Sequence, residues 1–289
     1  MLFSKVAILG GGLLGGSLAL AVQERKVAGS VAVWARRAET VAEMESRQMA
    51  ELVTTDLARA VEEAEMVVLC TPIGAMAGVV ERALPYLSPF AVVTDVGSVK
   101  TPVVRDVIAV LGGKNEFVGS HPMAGGENAG VAHAKADLFE GAVCILTPVG
   151  ETAPAALEQV RKFWIALGMV LRELSPGEHD AVVARVSHLP HLLASALVNF
   201  ATSPDATSLA FCGNGFRDST RVAAGHSGLW GEILMTNRDE VLQALKGLQG
   251  ELSRVGQLLE NGDTPALLSF LARAARARQT LSPRSKTEE

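Results

Sequence analysis

The segment that most restricts this chain lies close to its N-terminus, where the apolar run Val6-Ala7-Ile8-Leu9 passes directly into Gly10-Gly11-Gly12-Leu13-Leu14-Gly15. A GxGxxG that follows a strand and opens a helix makes three separate demands. Gly10 permits the tight turn, Gly12 lets the backbone approach a pyrophosphate, and Gly15 allows helix and strand to pack closely. The free N–H groups at the helix start then favour an anion. A mere glycine-rich turn could carry the same letters, so the motif draws its weight from standing between strand and helix. Leu13 and Leu14 lie inside this turn, and Thr71 and Pro72 follow the apolar run Met66–Cys70. These four join Gly10, Gly12 and Gly15 as candidate cofactor contacts.

The runs Val6–Leu9, Val31–Trp34, Met66–Cys70, Ala91–Thr94, Phe117–Ser120 and Ala142–Thr147 are short and rich in β-branched residues, with amphipathic stretches such as the helix-forming Ala38–Ala64 between them. Met169–Leu174 reads as a further edge strand. This rhythm predicts an α/β fold, with a Rossmann-type parallel-sheet nucleotide-binding domain over residues 1–174. From Ser175 onward strand signals cease, and Glu178–Thr202, Leu229–Asn261 and Thr264–Arg278 read as helices, the last capped by Asp263 or Thr264 with Pro265 in its first turn. Residues 175–289 are therefore expected to form an all-helical second domain. Its Leu242, Leu245, Leu248, Leu252 and Val255 recur at helical spacing, which suits a core or a contact between subunits of a symmetric dimer. The polar tail Ser282–Glu289 reads as frayed.

Charge removes some function classes. Lys and Arg number 26 against 31 Asp and Glu, a net −5, so the chain lacks the basic footprint that nucleic-acid binding requires. The apolar start Leu2–Val22 is broken by Lys5 and by glycines, which suits neither a signal peptide nor a membrane span. Cys70, Cys144 and Cys212 are isolated, with no metal-ligand spacing, so reduced thiols in a cytoplasmic protein and no metal site are expected.

The end of the second strand bears on the choice of dinucleotide. An NAD site usually has Asp or Glu there for the ribose 2′-hydroxyl, but Val31–Trp34 runs into Ala35-Arg36-Arg37. Two guanidiniums and no acid favour the 2′-phosphate of NADP, with NAD the alternative. The alternative to a phosphate site is two solvated arginines at a surface turn.

Polar segments stand where an α/β sheet builds its site: Asp95-Val96-Gly97-Ser98-Val99-Lys100 and His121-Pro122-Met123-Ala124-Gly125 follow predicted strands, and Ser187-His188-Leu189-Pro190-His191 and Gly215-Phe216-Arg217-Asp218-Ser219-Thr220-Arg221 fall in the helical half. With GxGxxG and in this order, they resemble the prephenate/arogenate dehydrogenase family over about residues 5–274. That resemblance implies a nucleotide-binding domain followed by a helical dimerisation domain, and a substrate bearing carboxylates. It implies His121 as catalytic histidine, Ser98 as the serine bonded to it and to the substrate hydroxyl, and Arg221 as the carboxylate clamp. Ser187 and His191 would line the pocket, Glu127 falls on a family acid near that arginine, and Trp230 would reach toward the neighbouring subunit's site. Gly126 departs from the family, several of whose members carry Thr or Ser there, which leaves substrate preference open.

Read without the resemblance, the same residues keep other readings. His121 before proline could be a satisfied turn histidine, and His179 beside Asp180 reads as a boundary hydrogen bond or a helix cap. His188 and His191 share a helix face, and Arg217 lies four residues from Arg221, near enough to serve the same dianionic substrate. His226 has no assignment. A β-hydroxyacid dehydrogenase or imine reductase would share the layout but use a lysine in the helical half. A non-catalytic NADP-binding redox sensor is the reading from another class.

Overall fold

The structure is a computed structural model that describes residues 1–126, 130–203 and 206–281, so Glu127 and the tail Ser282–Glu289 lie outside the described residues. In chain order come β1 (Phe3–Leu9), α1 (Leu13–Glu24), β2 (Ala28–Trp34), α2 (Ala38–Ser46), β3 (Leu52–Thr54), α3 (Leu57–Val61), β4 (Met66–Leu69), α4 (Met76–Ala83), β5 (Val92–Asp95), α5 (Thr101–Leu111), β6 (Glu116–Pro122), β7 (Val143–Thr147), α6 (Pro154–Ala166) and β8 (Val170–Glu173). The strands form one eight-stranded sheet in the order β3-β2-β1-β4-β5-β6-β7-β8.

Alternation along each strand divides the core between two faces. Val6, Ile8 and Val68 pack on one side with Leu18, Phe163 and Trp164. Ala7, Leu9 and Val67 pack on the other with Ile73, Val80, Val103 and Val107. A sheet buried on both faces leaves only its strand ends open, and the carboxyl ends of β1, β4, β5 and β6 gather at one edge.

Two features depart from the sequence-based expectation. Ala38–Ala64 is not one helical stretch: α2 stops at Ser46 and β3 pairs with β2 through Ala32 to Leu52, Val33 to Val53 and Trp34 to Thr54. Three β-branched or apolar residues are too few to stand out among strong helix formers, and pairing rather than local preference makes this strand. The sheet is also not wholly parallel, because β7 runs antiparallel to β6. A parallel return needs a crossover helix. Between these strands the described chain instead forms loops and the short turn Val131–His133, which packs on α1 where Gly16 leaves room for Val131.

After the last strand come α7 (Pro176–Val183), a π turn (Ala184–His188), α8 (Leu189–Ala201), α9 (Asn214–Thr220), α10 (Ser227–Thr236), α11 (Arg238–Glu260) and α12 (Thr264–Gln279). Ser175 and Glu178 form a reciprocal capping box at the start of α7, with Pro176 at the first helical position. Asp263 caps α12 by accepting from Ala266 N–H at 3.0 Å. The expected single helix over Leu229–Asn261 is two, because Asn237 breaks it and turns its side chain inward. Among the described residues one continuous helix, Pro176–Ala201, is long and apolar enough to cross a membrane. It nevertheless buries His179, Asp180, His188 and His191 against other elements. Ile233 of α10 is buried in the core on one face of the sheet, which seats the helical region on the sheet.

Candidate active site

The glycine turn has the geometry a dinucleotide needs. Gly10 sits at φ 131°, and a Cβ there would collide with the Cys70 carbonyl; a Cβ on Gly15 would collide with the carbonyl of Gly10. Gly12 differs, since a Cβ there would meet no atom within 4 Å, so its open face is where a ligand can approach the backbone. It is also the N-cap of α1, with no side-chain cap and no acid in the first turn, leaving the helix N–H groups to an anion. At the end of β4, Thr71 Oγ1 is buried without a hydrogen-bond partner. An open glycine, uncapped N–H groups and an orphaned hydroxyl together fit a bound dinucleotide, with Leu13, Leu14 and Pro72 flanking them. Arg36 and Arg37 are exposed between β2 and α2, and Ala35 beside them is buried next to Gly11.

His121 stands within β6 itself, two residues beyond Gly119, and is 7% exposed. Its Nδ1 lies 2.8 Å from Nε2 of His179, whose own Nδ1 lies 2.8 Å from Oδ1 of Asp180. Asp180 in turn accepts from the backbone N–H of Lys100 at 2.7 Å and of Thr101 at 2.8 Å, where α5 begins. Burial favours the protonated carboxyl of Asp180, but the hydrogen bonds from His179, Thr101 and Lys100 outweigh it and hold its pKa below the usual carboxylate value. Burial first, then His179, Lys100 and His188, push the pKa of His121 well below 6.5, so its ring is neutral near pH 7. Beneath these rings Lys100 and Asp95 form a buried ion pair, and Lys100 Nζ also donates to the Ser120 carbonyl at 2.8 Å.

The remaining candidates come mainly from one helix. At about 100° per residue an uninterrupted α-helix would set His191 roughly 120° around from His179. The π turn between them carries one extra residue, which offsets about 100° of that difference. His188 and Ser187 lie in that π turn. His188 is fully buried, with Nδ1 3.1 Å from Asn237 Nδ2, the Ser98 main chain beside it and no well-formed hydrogen bond at Nε2. Asn237 also donates to the Asp180 carbonyl at 2.9 Å. His191 stacks on Trp230, with ring centroids 3.6 Å apart and planes 8° from parallel. Gly225 allows this, because a Cβ there would strike the Trp230 ring. The His191 ring also lies near the main chain of Val222, next to Arg221, and makes no well-formed hydrogen bond at Nδ1.

Thus His188, His191 and Trp230 form a connected group of rings, with the Ser98 main chain beside His188, His121 close enough for the charge of His188 to act on it, and Arg221 adjacent. Arg217, on α9, is exposed, and Ser187 and Ser98 are half-buried. Ser98 makes no hydrogen bond to His121 among the described residues, and the Nδ1 of that ring is engaged by His179. The sequence alone assigns no site role to His179, Asp180, Lys100, Asp95 or Asn237; the signals it offers are the adjacency of His179 to Asp180 and the polar segment Asp95–Lys100 after a predicted strand. His226 is a helix cap, its Nδ1 accepting from Leu229 N–H at 3.3 Å.

A Rossmann-type sheet with its glycine turn, followed by a helical region that closes over the same strand ends, defines a nicotinamide-dependent dehydrogenase. Residues 18–173 match the family model for the prephenate dehydrogenase nucleotide-binding domain and residues 175–273 the one for the prephenate dehydrogenase dimerization domain, so the chain belongs to the prephenate dehydrogenase family. It is 31% identical to the cyclohexadienyl dehydrogenase of Zymomonas mobilis, with 96% of each chain covered. Among solved structures it resembles prephenate dehydrogenase from Aquifex aeolicus in complex with hydroxyphenyl propionate and NAD+, at 31% identity and a TM-score of 0.90, covering 96% of this chain and 98% of that one. It also resembles Synechocystis arogenate dehydrogenase, at 30% identity and a TM-score of 0.83, covering 96% of this chain and all of the other (100%).

Proposed function

We propose that this chain oxidatively decarboxylates prephenate to 4-hydroxyphenylpyruvate, or arogenate to tyrosine, with NADP as the preferred hydride acceptor. The observation that carries this reading is His121: a buried, neutral imidazole at the carboxyl end of β6, hydrogen-bonded through Nδ1 so that Nε2 is left for a substrate. The bound nicotinamide supplies the hydride acceptor. His121 takes the proton of the ring hydroxyl as hydride leaves the same carbon, so the alcohol becomes a carbonyl. The ring carboxylate then departs as carbon dioxide, its bonding pair enters the ring, and the phenolate oxygen recovers the proton from His121. The base is regenerated in each turnover and no proton is released. Ser98 steadies the hydroxyl, and Arg221, with Arg217 as second candidate, pairs with a carboxylate. Ser187, His191 and Trp230 shape the pocket, and Glu127 is assigned to it by family resemblance.

Gly10, Gly12, Leu13, Leu14, Gly15, Thr71 and Pro72 hold the dinucleotide, and Arg36 and Arg37 its 2′-phosphate. Residues 1–174 act as the nucleotide-binding unit and 175–289 as the substrate and dimerisation unit of a cytoplasmic homodimer. Leu242, Leu252, Leu268 and Leu271 support the dimer, because all four are exposed in the single chain. The test is formation of reduced nicotinamide with prephenate and with arogenate, each offered with NAD and with NADP. Absence of turnover in all four combinations would leave the redox-sensor reading in its place.

A further inference from the structure

We infer that His179 is a positioning residue that imposes the catalytically competent tautomer on His121, and that Asp180 fixes His179 in turn. The inference rests on the reading of His121 as the base, and it follows from a sequence of donors and acceptors with no free choice in it. The Asp180 carboxylate accepts two backbone N–H groups of the α5 start, so it is held ionised and can only accept from the His179 ring. His179 Nδ1 must therefore carry a proton. Burial keeps His179 neutral, so its Nε2 has a lone pair and can only accept. The atom facing it at 2.8 Å, His121 Nδ1, must then be the donor. A neutral His121 with its proton on Nδ1 has its lone pair on Nε2, the nitrogen that must take a proton from substrate. When that happens, the imidazolium formed is compensated through His179 by a carboxylate already in place, with no further proton transfer.

The relay also crosses the molecule. His121 lies on β6, while His179 and Asp180 lie on α7, the first helix after the sheet. The base is thus set for chemistry only while the helical region is docked on the sheet. Asn237 braces the same junction from the α10–α11 break by donating to the Asp180 carbonyl.

The experiment compares His179→Phe with His179→Gln, beside His121→Asn, and reads kcat, KM and the ring-nitrogen chemical shifts of His121. Phe keeps the volume and removes the acceptor; Gln can place an amide oxygen where Nε2 stood. In the wild-type protein the spectrum should show His121 protonated at Nδ1. His179→Phe should lose roughly a hundredfold in kcat with substrate KM within about threefold, and His179→Gln should return to within about tenfold of wild type. Three results would each overturn the inference: an Nε2-protonated His121 in the wild type, kcat within about threefold of wild type in His179→Phe, or equal losses in Phe and Gln, which would assign His179 to packing. Should the Phe variant not fold, the spectrum and the Gln variant still decide. Turnover surviving in His121→Asn would instead remove the base reading, and the wild-type spectrum would still decide the relay on its own.

Discussion

Lys100 and Asp95 form an ion pair from which water is excluded, both side chains being 0% exposed. Asp95 also accepts from the backbone N–H of Gly97 at 2.8 Å and of Ser120 at 3.0 Å. The pair therefore ties β5, the loop carrying Ser98 and the strand carrying His121 into one unit. Taking away one partner strands the other charge in the core, at a cost of about 3–5 kcal/mol. Lys100→Met should show this as a lowered denaturation midpoint, and the double replacement Lys100→Met with Asp95→Asn should recover part of it. An unchanged midpoint in the single variant would mean that the pair contributes nothing to the fold.

His121→Asn should keep cofactor affinity and lose roughly 10²- to 10⁴-fold in turnover. The pH profile gives a second check. Burial, His179, Lys100 and His188 all disfavour the protonated ring, and in the proposed mechanism the neutral form acts as the base. Activity should thus be full at pH 6.5 and fall only well below it. An acid limb centred near 6.5 would point to a solvent-exposed histidine instead.

Stability should carry its own acid dependence through His188, whose pKa is pushed down to about 4, mainly by burial and next by His179. In the unfolded chain it returns to about 6.5. Between those values the unfolded state binds more protons, so stability is complete above about pH 6.5 and is lost progressively as pH falls toward 4. The loss attributable to this ring is on the order of 3 kcal/mol. Unfolding curves at several pH values would measure it, and a His188→Gln variant should show a shallower decline if it folds.

Arg221 opens the turn Arg221–Ala224 between α9 and α10, next to Val222, whose main chain lies near the His191 ring. A charge-assisted contact to a substrate carboxylate contributes about 1.5–3 kcal/mol. Arg221→Ala should therefore lower kcat/KM by about ten- to a hundredfold, mostly through KM. Unaltered saturation kinetics would move the carboxylate contact elsewhere, with Arg217 the first to test.

What could be read from the sequence was what is local. The glycine turn is legible because positive φ, close approach and helix start all fall within Gly10–Gly15, and the capped α12 because Asp263 and Pro265 signal it within a few residues. The strands of the core are legible from apolar runs, but the direction of β7 depends on how the chain returns from β6. The relay was hidden for the same reason: His121 and His179 are 58 residues apart, and only the docking of α7 on β6 brings them together. Ala184-Arg185-Val186-Ser187-His188 contains nothing that marks a π turn, yet that turn sets which face His191 presents.

The two dinucleotides differ only in the ribose 2′-phosphate, and Arg36 and Arg37 stand exposed where β2 ends beside the glycine turn. Neither has an ion-pair partner among the described residues, so both guanidiniums are available to a phosphate. One charge-assisted contact is worth about 1.5–3 kcal/mol, so NADP should bind at least about tenfold more tightly than NAD. Ala35 offers the means of reversal, because it follows the end of β2 and its side chain lies beside Gly11 of the turn. Ala35→Asp combined with Arg36→Ser adds an acceptor for a free 2′-hydroxyl and a charge that repels phosphate, so the preference should invert. Because the arginines are exposed, added salt should narrow the wild-type gap. Equal affinities in wild-type titrations, or a preference for NAD, would make Arg36 and Arg37 ordinary surface residues. Membership of the family would stand, since it rests on the matched domains and not on these two side chains.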